Sequence, residues 1–179
     1  MRVRSADHGE VWLLDANLLI ALTHASHVHH AEAHHWFAQG RSRRWATCAL
    51  TQLAFVRLTS NARVVGAAFS PSQAMQALAD MVEQPDHEYW DDAPEPLRLT
   101  TLNSPALVGH RQVTDAYLLG LVAARYQRLA TLDRGLVSFA TAIGLSDSVE
   151  LVGGLPMVQE PQVAYRVTRP VAKKQSKKA

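Results

Sequence analysis

The sequence predicts an α/β fold with a mostly parallel central sheet and helices on both faces. Three observations predict it. Short apolar runs of strand length recur along the chain, they alternate with segments of helical period, and several end in a carboxylate. Residues 11–14 (Val-Trp-Leu-Leu) fit a strand buried on both faces, with Asp15 and Asn17 where it emerges and the apolar run 18–22 following at once. In open α/β sheets that edge is where ligands bind.

The remaining elements follow in order. Residues 30–37 have helical spacing that starts near Ser26, and 44–48 read as a short strand. Residues 50–61 are helical, with Leu50, Leu53, Ala54 and Leu58 on one stripe. Ser70 as N-cap, Pro71 at the first helical position and Gln73 closing a capping box start a helix that runs to about Glu83. Residues 87–90 form a strand, 91–96 a loop with two prolines, and 97–102 a short helix. Thr114 caps a helix to about Gln127. A strand at 128–132, a helix at 134–143 and a strand at 149–152 complete the pattern before Gly153, Gly154 and Pro156. One domain over residues 1–155 and a basic tail over 156–179 are expected.

A chain of 179 residues buries roughly 70% of its unfolded surface and needs no disulfide or structural metal to fold. Its single cysteine, Cys48, suits a reducing compartment. The polar N-terminus and the interruption of the first apolar run by Asp15 and Asn17 fit neither a signal peptide nor a membrane span, so the cytoplasm is expected. The net charge of +2 hides an asymmetry. Residues 161–179 hold six basic residues and no acid, leaving 12 basic against 16 acidic residues before them. The tail reads as a solvated, disordered segment that can also hold phosphate weakly.

Asp15 and Asp133 both follow apolar runs and should emerge on the same sheet edge, while Asp115 falls in the first turn of its helix. Two carboxylates about 4 Å apart repel by roughly 4 kcal/mol at an effective dielectric near 20. A hard divalent cation removes that repulsion, lowers the pKa of a bound water and neutralises charge growing on a phosphoryl group. Taken singly, Asp115 reads as a helix-start acid and Asp133 as a turn residue; Asp15 is harder to dismiss.

Four segments carry a resemblance: Leu-Leu-Asp-Ala-Asn at 13–17, Ala-Thr-Cys-Ala-Leu-Thr-Gln-Leu-Ala-Phe-Val-Arg at 46–57, Gly-His-Arg-Gln-Val-Thr-Asp-Ala-Tyr-Leu-Leu at 109–119, and Arg-Leu-Ala-Thr-Leu-Asp-Arg-Gly-Leu at 128–136. In this order they resemble the motif blocks of PIN-domain ribonucleases, in particular the VapC toxins of type II toxin–antitoxin systems, over about residues 11–153. The resemblance implies a PIN-like fold and a Mg²⁺-dependent endoribonuclease, with Mn²⁺ able to substitute. It also implies a homodimer held inactive by a cognate VapB-type antitoxin, with transfer or ribosomal RNA as substrate. By position, Asp15, Asp115 and Asp133 match metal-binding and catalytic acids, with Asn17 and Thr114 in support. Gln52 stands where the family usually carries Glu, so a second metal is not expected. An amide accepts a hydrogen bond but adds no charge and cannot act as a general base near neutral pH.

Arg57, Arg111 and Arg134 lie in these blocks and are candidates for RNA phosphates, although a plain loop charge explains Arg111 equally well. His24, His27, His29, His30, His34 and His35 are dense, and His30 and His34 are spaced for zinc, but the pattern lacks the His-Glu-x-x-His of zinc proteases. A polar helix surface is the better reading. Trp36 and Phe37 read as core or interface residues. The competing function is a catalytically impaired PIN-like module that binds RNA or protein without cleaving. A phosphatase with Asp15 as nucleophile fits poorly, because its usual Asp-x-Asp is Asp-Ala-Asn here.

Overall fold

Strand β1 (Val11–Leu14) is buried at all four positions and forms the middle of the sheet. Its alternate residues feed two separate cores, Val11 and Leu13 on one face, Trp12 and Leu14 on the other. The computed structural model describes residues 9–39, 44–91 and 94–153. The expected domain boundary at 155 and the basic tail lie outside the described residues.

From β1 the chain enters α1 (Ala16–Thr23) and α2 (His30–Gln39), returning as β2 (Arg44–Cys48). Helices α3 (Ala49–Thr59), α4 (Ala62–Val65) and α5 (Pro71–Val82) precede β3 (His87–Trp90). A 3-10 turn (Pro96–Arg98) and α6 (Gln112–Arg125) lead to β4 (Arg128–Thr131). Helix α7 (Arg134–Ala142), a second 3-10 turn (Ser146–Ser148) and β5 (Val149–Leu151) follow. The strand order is β3-β2-β1-β4-β5, and every pairing is parallel. Helices α1, α2, α3 and α5 cover one face around Leu18, Leu19, Phe55 and Leu78. Helices α6 and α7 cover the other around Leu118, Leu121, Leu136 and Phe139. The PIN-like α/β expectation is met.

Local chemistry sets the start of α5. The Ser70 hydroxyl accepts from the Gln73 N–H at 3.2 Å while the Gln73 side chain accepts from the Ser70 N–H at 2.8 Å. That reciprocal pair satisfies two orphan donors at the start of α5.

Four expectations need correction. Helix α2 starts at His30 rather than near Ser26, because residues 24–29 form the turns that leave α1. The stripe on α3 is Thr51, Phe55 and Thr59, and Leu53 is 70% exposed, so the apolar residues expected there do not share the buried face. The helix expected over 97–102 shrinks to the 3-10 turn. Thr114 does not cap α6, which begins two residues earlier. The Gln112 side chain accepts from the Val108 and Gly109 N–H groups at 3.1 and 3.2 Å, tying the preceding loop to the helix start and leaving Thr114 exposed inside the first turn.

Helix α6 approaches its neighbours closely at Gly120. A Cβ there would stand 2.6 Å from Thr101 Oγ1 and 2.8 Å from Leu99 Cδ1. Only glycine lets this helix lie against the 99–101 segment, and that contact sets the height at which α6 presents its first turn.

Candidate active site

All strands run the same way, but the order of strand addition switches sides between β1 and β4: β2 and β3 are added on one side of β1, β4 and β5 on the other. In doubly wound sheets this switch point opens a crevice at the carboxyl ends of the strands. Asp15 directly follows β1 and Asp133 lies just past β4, so both candidate acids flank that crevice.

The backbone N–H of Asp15 extends the ladder to the Ala130 carbonyl at 3.0 Å, which fixes its place beside β4. Its Oδ2 accepts from the Thr131 hydroxyl at 2.8 Å, and Thr131 Oγ1 accepts in turn from the Asp133 N–H at 3.0 Å. One buried threonine thus ties the two acidic positions together. Asp133 is the N-cap of α7, its Oδ1 accepting from the Gly135 and Leu136 N–H groups at 2.6 and 3.4 Å. Asp115 sits in the first turn of α6, where the helix dipole favours a negative charge.

That dipole does not compensate for the surroundings. Burial pushes the Asp115 carboxyl up to about 6, and the charges of Asp15 and Asp133 push in the same direction. Asp15 is also raised, chiefly by burial and further by Asp133. The Thr131 hydroxyl and the backbone N–H groups of Ala16 and Asn17 pull it back down. The three acids therefore share one electrostatic environment, and no Lys, Arg or His among the described residues forms an ion pair with any of them.

All the donors here are hard carboxylate oxygens, and they do not close into a ready-made set of three ligands among the described residues. Such a donor set suits Mg²⁺, which takes one or two carboxylates and retains several waters, and does not suit zinc, which prefers nitrogen and sulfur.

Other candidates fall differently. Asn17 is exposed and supports Asp15 through its backbone. Thr114, Arg57, Arg111 and Arg134 are exposed, and the three arginines form no ion pair among the described residues. Gln52, in the first turn of α3, donates its side-chain amide to Thr47 Oγ1 at 2.9 Å. His30 and His34 reach the Ala21 and Leu22 carbonyls, each at 2.8 Å, and so satisfy the C-terminal end of α1. Trp36 and Phe37 pack on the α1 side of the core, and the Trp36 indole donates to Glu150 at 2.7 Å. Thr131 was missed by sequence reasoning. Its only signal is a hydroxyl at the last position of a strand, two residues before an acid.

A cleft of about 530 Å³ between Arg44, Tyr89, Trp90 and Arg125 is lined in part by Val11 and Gln127, at the opposite end of the sheet from the acids. Arg44 pairs there with Glu88 and Arg125 with Asp91, so it is no rival for the acidic crevice.

An all-parallel five-stranded sheet with acids gathered at its switch point defines a PIN-like α/β domain. No family-wide sequence profile matches the chain. Individual proteins do. Ribonuclease VapC39 of Mycobacterium tuberculosis is 39% identical over 130 residues, 73% of this chain and 94% of that protein. Ribonuclease VapC38 of the same organism is 39% identical over 128 residues, 72% of this chain and 89% of its own length. Ribonuclease VapC29 reaches 42% over 125 residues, 69% and 86% respectively. The chain belongs to the VapC ribonuclease family.

Proposed function

We propose that this protein is the toxin of a type II toxin–antitoxin pair, a Mg²⁺-dependent endoribonuclease acting at the Asp15–Asp115–Asp133 crevice. The observation that carries the reading is that Thr131 ties Asp15 and Asp133 together at the switch point while the charges of both push up the Asp115 carboxyl, with no paired cation among the described residues. Relatives named as ribonucleases agree with it.

Asp15 and Asp115 would hold the metal, with Asp133 beside them; Mn²⁺ has the same ligand preference. When bound, the ion supplies a nucleophilic water at neutral pH and neutralises charge growing on the phosphoryl oxygens. Thr131 keeps one oxygen of Asp15 engaged and so orients the other. Asp133 keeps Oδ1 on the α7 backbone, leaving Oδ2 for the crevice. Arg57, Arg111 and Arg134 are the candidates to meet RNA phosphates, and transfer or ribosomal RNA is the proposed substrate. Cleavage should leave 5′-phosphate and 3′-hydroxyl ends.

The natural partner is a VapB-type antitoxin whose Arg or Lys enters the acidic crevice, since a cluster that attracts Mg²⁺ also attracts a guanidinium. A homodimer in the cytoplasm completes the proposal. No described helix is long and apolar enough to cross a membrane. Residues 1–155 form the nuclease domain and 156–179 a basic tail that helps to gather RNA.

Expression in a bacterial host should arrest growth, and the purified chain should cut RNA with Mg²⁺ but not with chelator. Asp15→Asn should abolish both effects. A fully active Asp15→Asn variant would overturn the assignment of the site, and a wild-type protein that binds RNA without cutting it would favour the impaired module.

A further inference from the structure

Gln52 is held by a polar chain that leads away from the acids. Its side-chain N–H donates to Thr47 Oγ1 at 2.9 Å, and Thr47 Oγ1 lies 2.8 Å from His87 Nε2. Thr47 is fully buried in β2, and His87 opens the neighbouring strand β3. The register pairs Leu13 with Ala46, so the carboxyl end of β2 and the first turn of α3 lie one strand from Asp15.

The direction of this chain can be worked out. A hydroxyl has one proton. The Val82 carbonyl, at the end of α5, is the backbone partner of the His87 imidazole. A ring nitrogen facing a carbonyl must carry hydrogen, and with Nε2 turned to Thr47 that nitrogen is Nδ1. Burial holds His87 below the ordinary histidine range, against the opposing influence of Val82 and of Glu88, itself paired with Arg44. A neutral imidazole with hydrogen on Nδ1 has a bare Nε2, which accepts from Thr47. The Thr47 oxygen can then only accept from Gln52. Both ends agree: the amide turns its NH₂ inward and its carbonyl Oε1 outward.

We propose that Thr47 and His87 are positioning residues that lock the Gln52 amide, so that Oε1 stands at the sheet edge as a neutral acceptor for a ribose hydroxyl of the RNA. This rests on the nuclease reading above for its ligand, though not for the polarity of the chain. It also explains how the site accommodates an amide where the family resemblance implies an acid. A carboxylate at position 52 has no proton to give, so Thr47 would have to reverse and donate to it. His87 Nε2 would then need a proton to donate to Thr47 while Nδ1 keeps its own, which makes the imidazole a cation. The identity of residue 52 and the charge of His87 are thereby linked.

The test has two arms. Long-range ¹H–¹⁵N spectra of the full-length chain should show His87 neutral at pH 7 with hydrogen on Nδ1, and charged at the same pH in Gln52→Glu. Hydrogen on Nε2 in the wild type, or an uncharged His87 in Gln52→Glu, overturns the locked amide whether or not the chain cuts RNA. In the second arm Thr47→Val, which keeps the volume and loses the hydroxyl, should raise KM for a single-stranded RNA about 5- to 10-fold, the worth of one neutral hydrogen bond. Its kcat should change less, and Thr47→Ser should restore KM. On an oligonucleotide with 2′-deoxy sugars around a single scissile ribose, wild type and Thr47→Val should bind alike. Equal KM values on all-ribose RNA would overturn the ribose contact, and absence of any cleavage would instead defeat the nuclease reading.

Discussion

Replacing Asp115 by Asn should make the metal-free protein more stable at neutral pH. The Asp115 carboxyl rises from 3.8 to about 6 in the folded protein, chiefly through burial and then through Asp15 and Asp133. At ~1.4 kcal/mol per pKa unit, a change of this size is worth roughly 3 kcal/mol. Asp115 keeps some solvent contact, so about 1–2 kcal/mol remains after screening. Because the folded pKa is the higher one, this stabilising contribution is complete below the unfolded value and is lost as pH rises through about 6. Urea unfolding in chelator at pH 4 and 7.5 should show the wild type losing about 1–2 kcal/mol more than Asp115→Asn across that interval. At pH 7.5 the variant should be the more stable of the two, and added Mg²⁺ should stabilise the wild type alone. A variant less stable than wild type at pH 7.5 without metal, or one with the same pH dependence, would refute the coupling of the three acids.

Thr131→Val removes the donor to Asp15 and strands the Asp133 N–H, at an expected loss of about 1–3 kcal/mol in urea unfolding, with weaker Mn²⁺ binding. Calorimetric titration of the wild type with Mn²⁺ should show one dominant site, absent in Asp115→Asn; two equal tight sites would contradict the expectation that Gln52 in place of an acid leaves no second metal site. Gly120→Ala gains ~1 kcal/mol of helix propensity but forces a methyl against Thr101 and Leu99. Overpacking of this kind costs about 1–3 kcal/mol, so thermal unfolding should register a net loss, and Thr101→Ala should recover part of it.

The sheet was readable in the sequence because its strands are short apolar runs punctuated by acids, and residues 44–48 and 87–90 coincide with β2 and β3. The placement of Asp15 and Asp133 at one edge followed from the same punctuation, whereas Asp115 was grouped with them only through the family resemblance. Less legible were features that depend on which strands become neighbours. Thr131 matters because β4 pairs with β1, and Thr47 meets His87 because β2 pairs with β3. Neither pairing leaves a local signal. The start of α6 was misplaced for a related reason: Gln112 secures its own preceding loop, which competes with the more familiar signal of a threonine cap. In α3 the apolar stripe was misjudged because two threonines occupy the buried face, their hydroxyls satisfied by the backbone of the helix or its cap.

The hydrogen bond from Thr131 to Asp15 joins residues 116 positions apart. During synthesis β1 leaves the ribosome early and β4 only near the end of the folded region, so for most of that time Asp15 has neither its ladder partner Ala130 nor its threonine. Residues 1–127 lack that partner strand altogether, and a fragment ending there carries two of the three acids without the frame that brings them together. The order of manufacture thus leaves the frame around Asp15 to be completed last, when the sheet is almost whole.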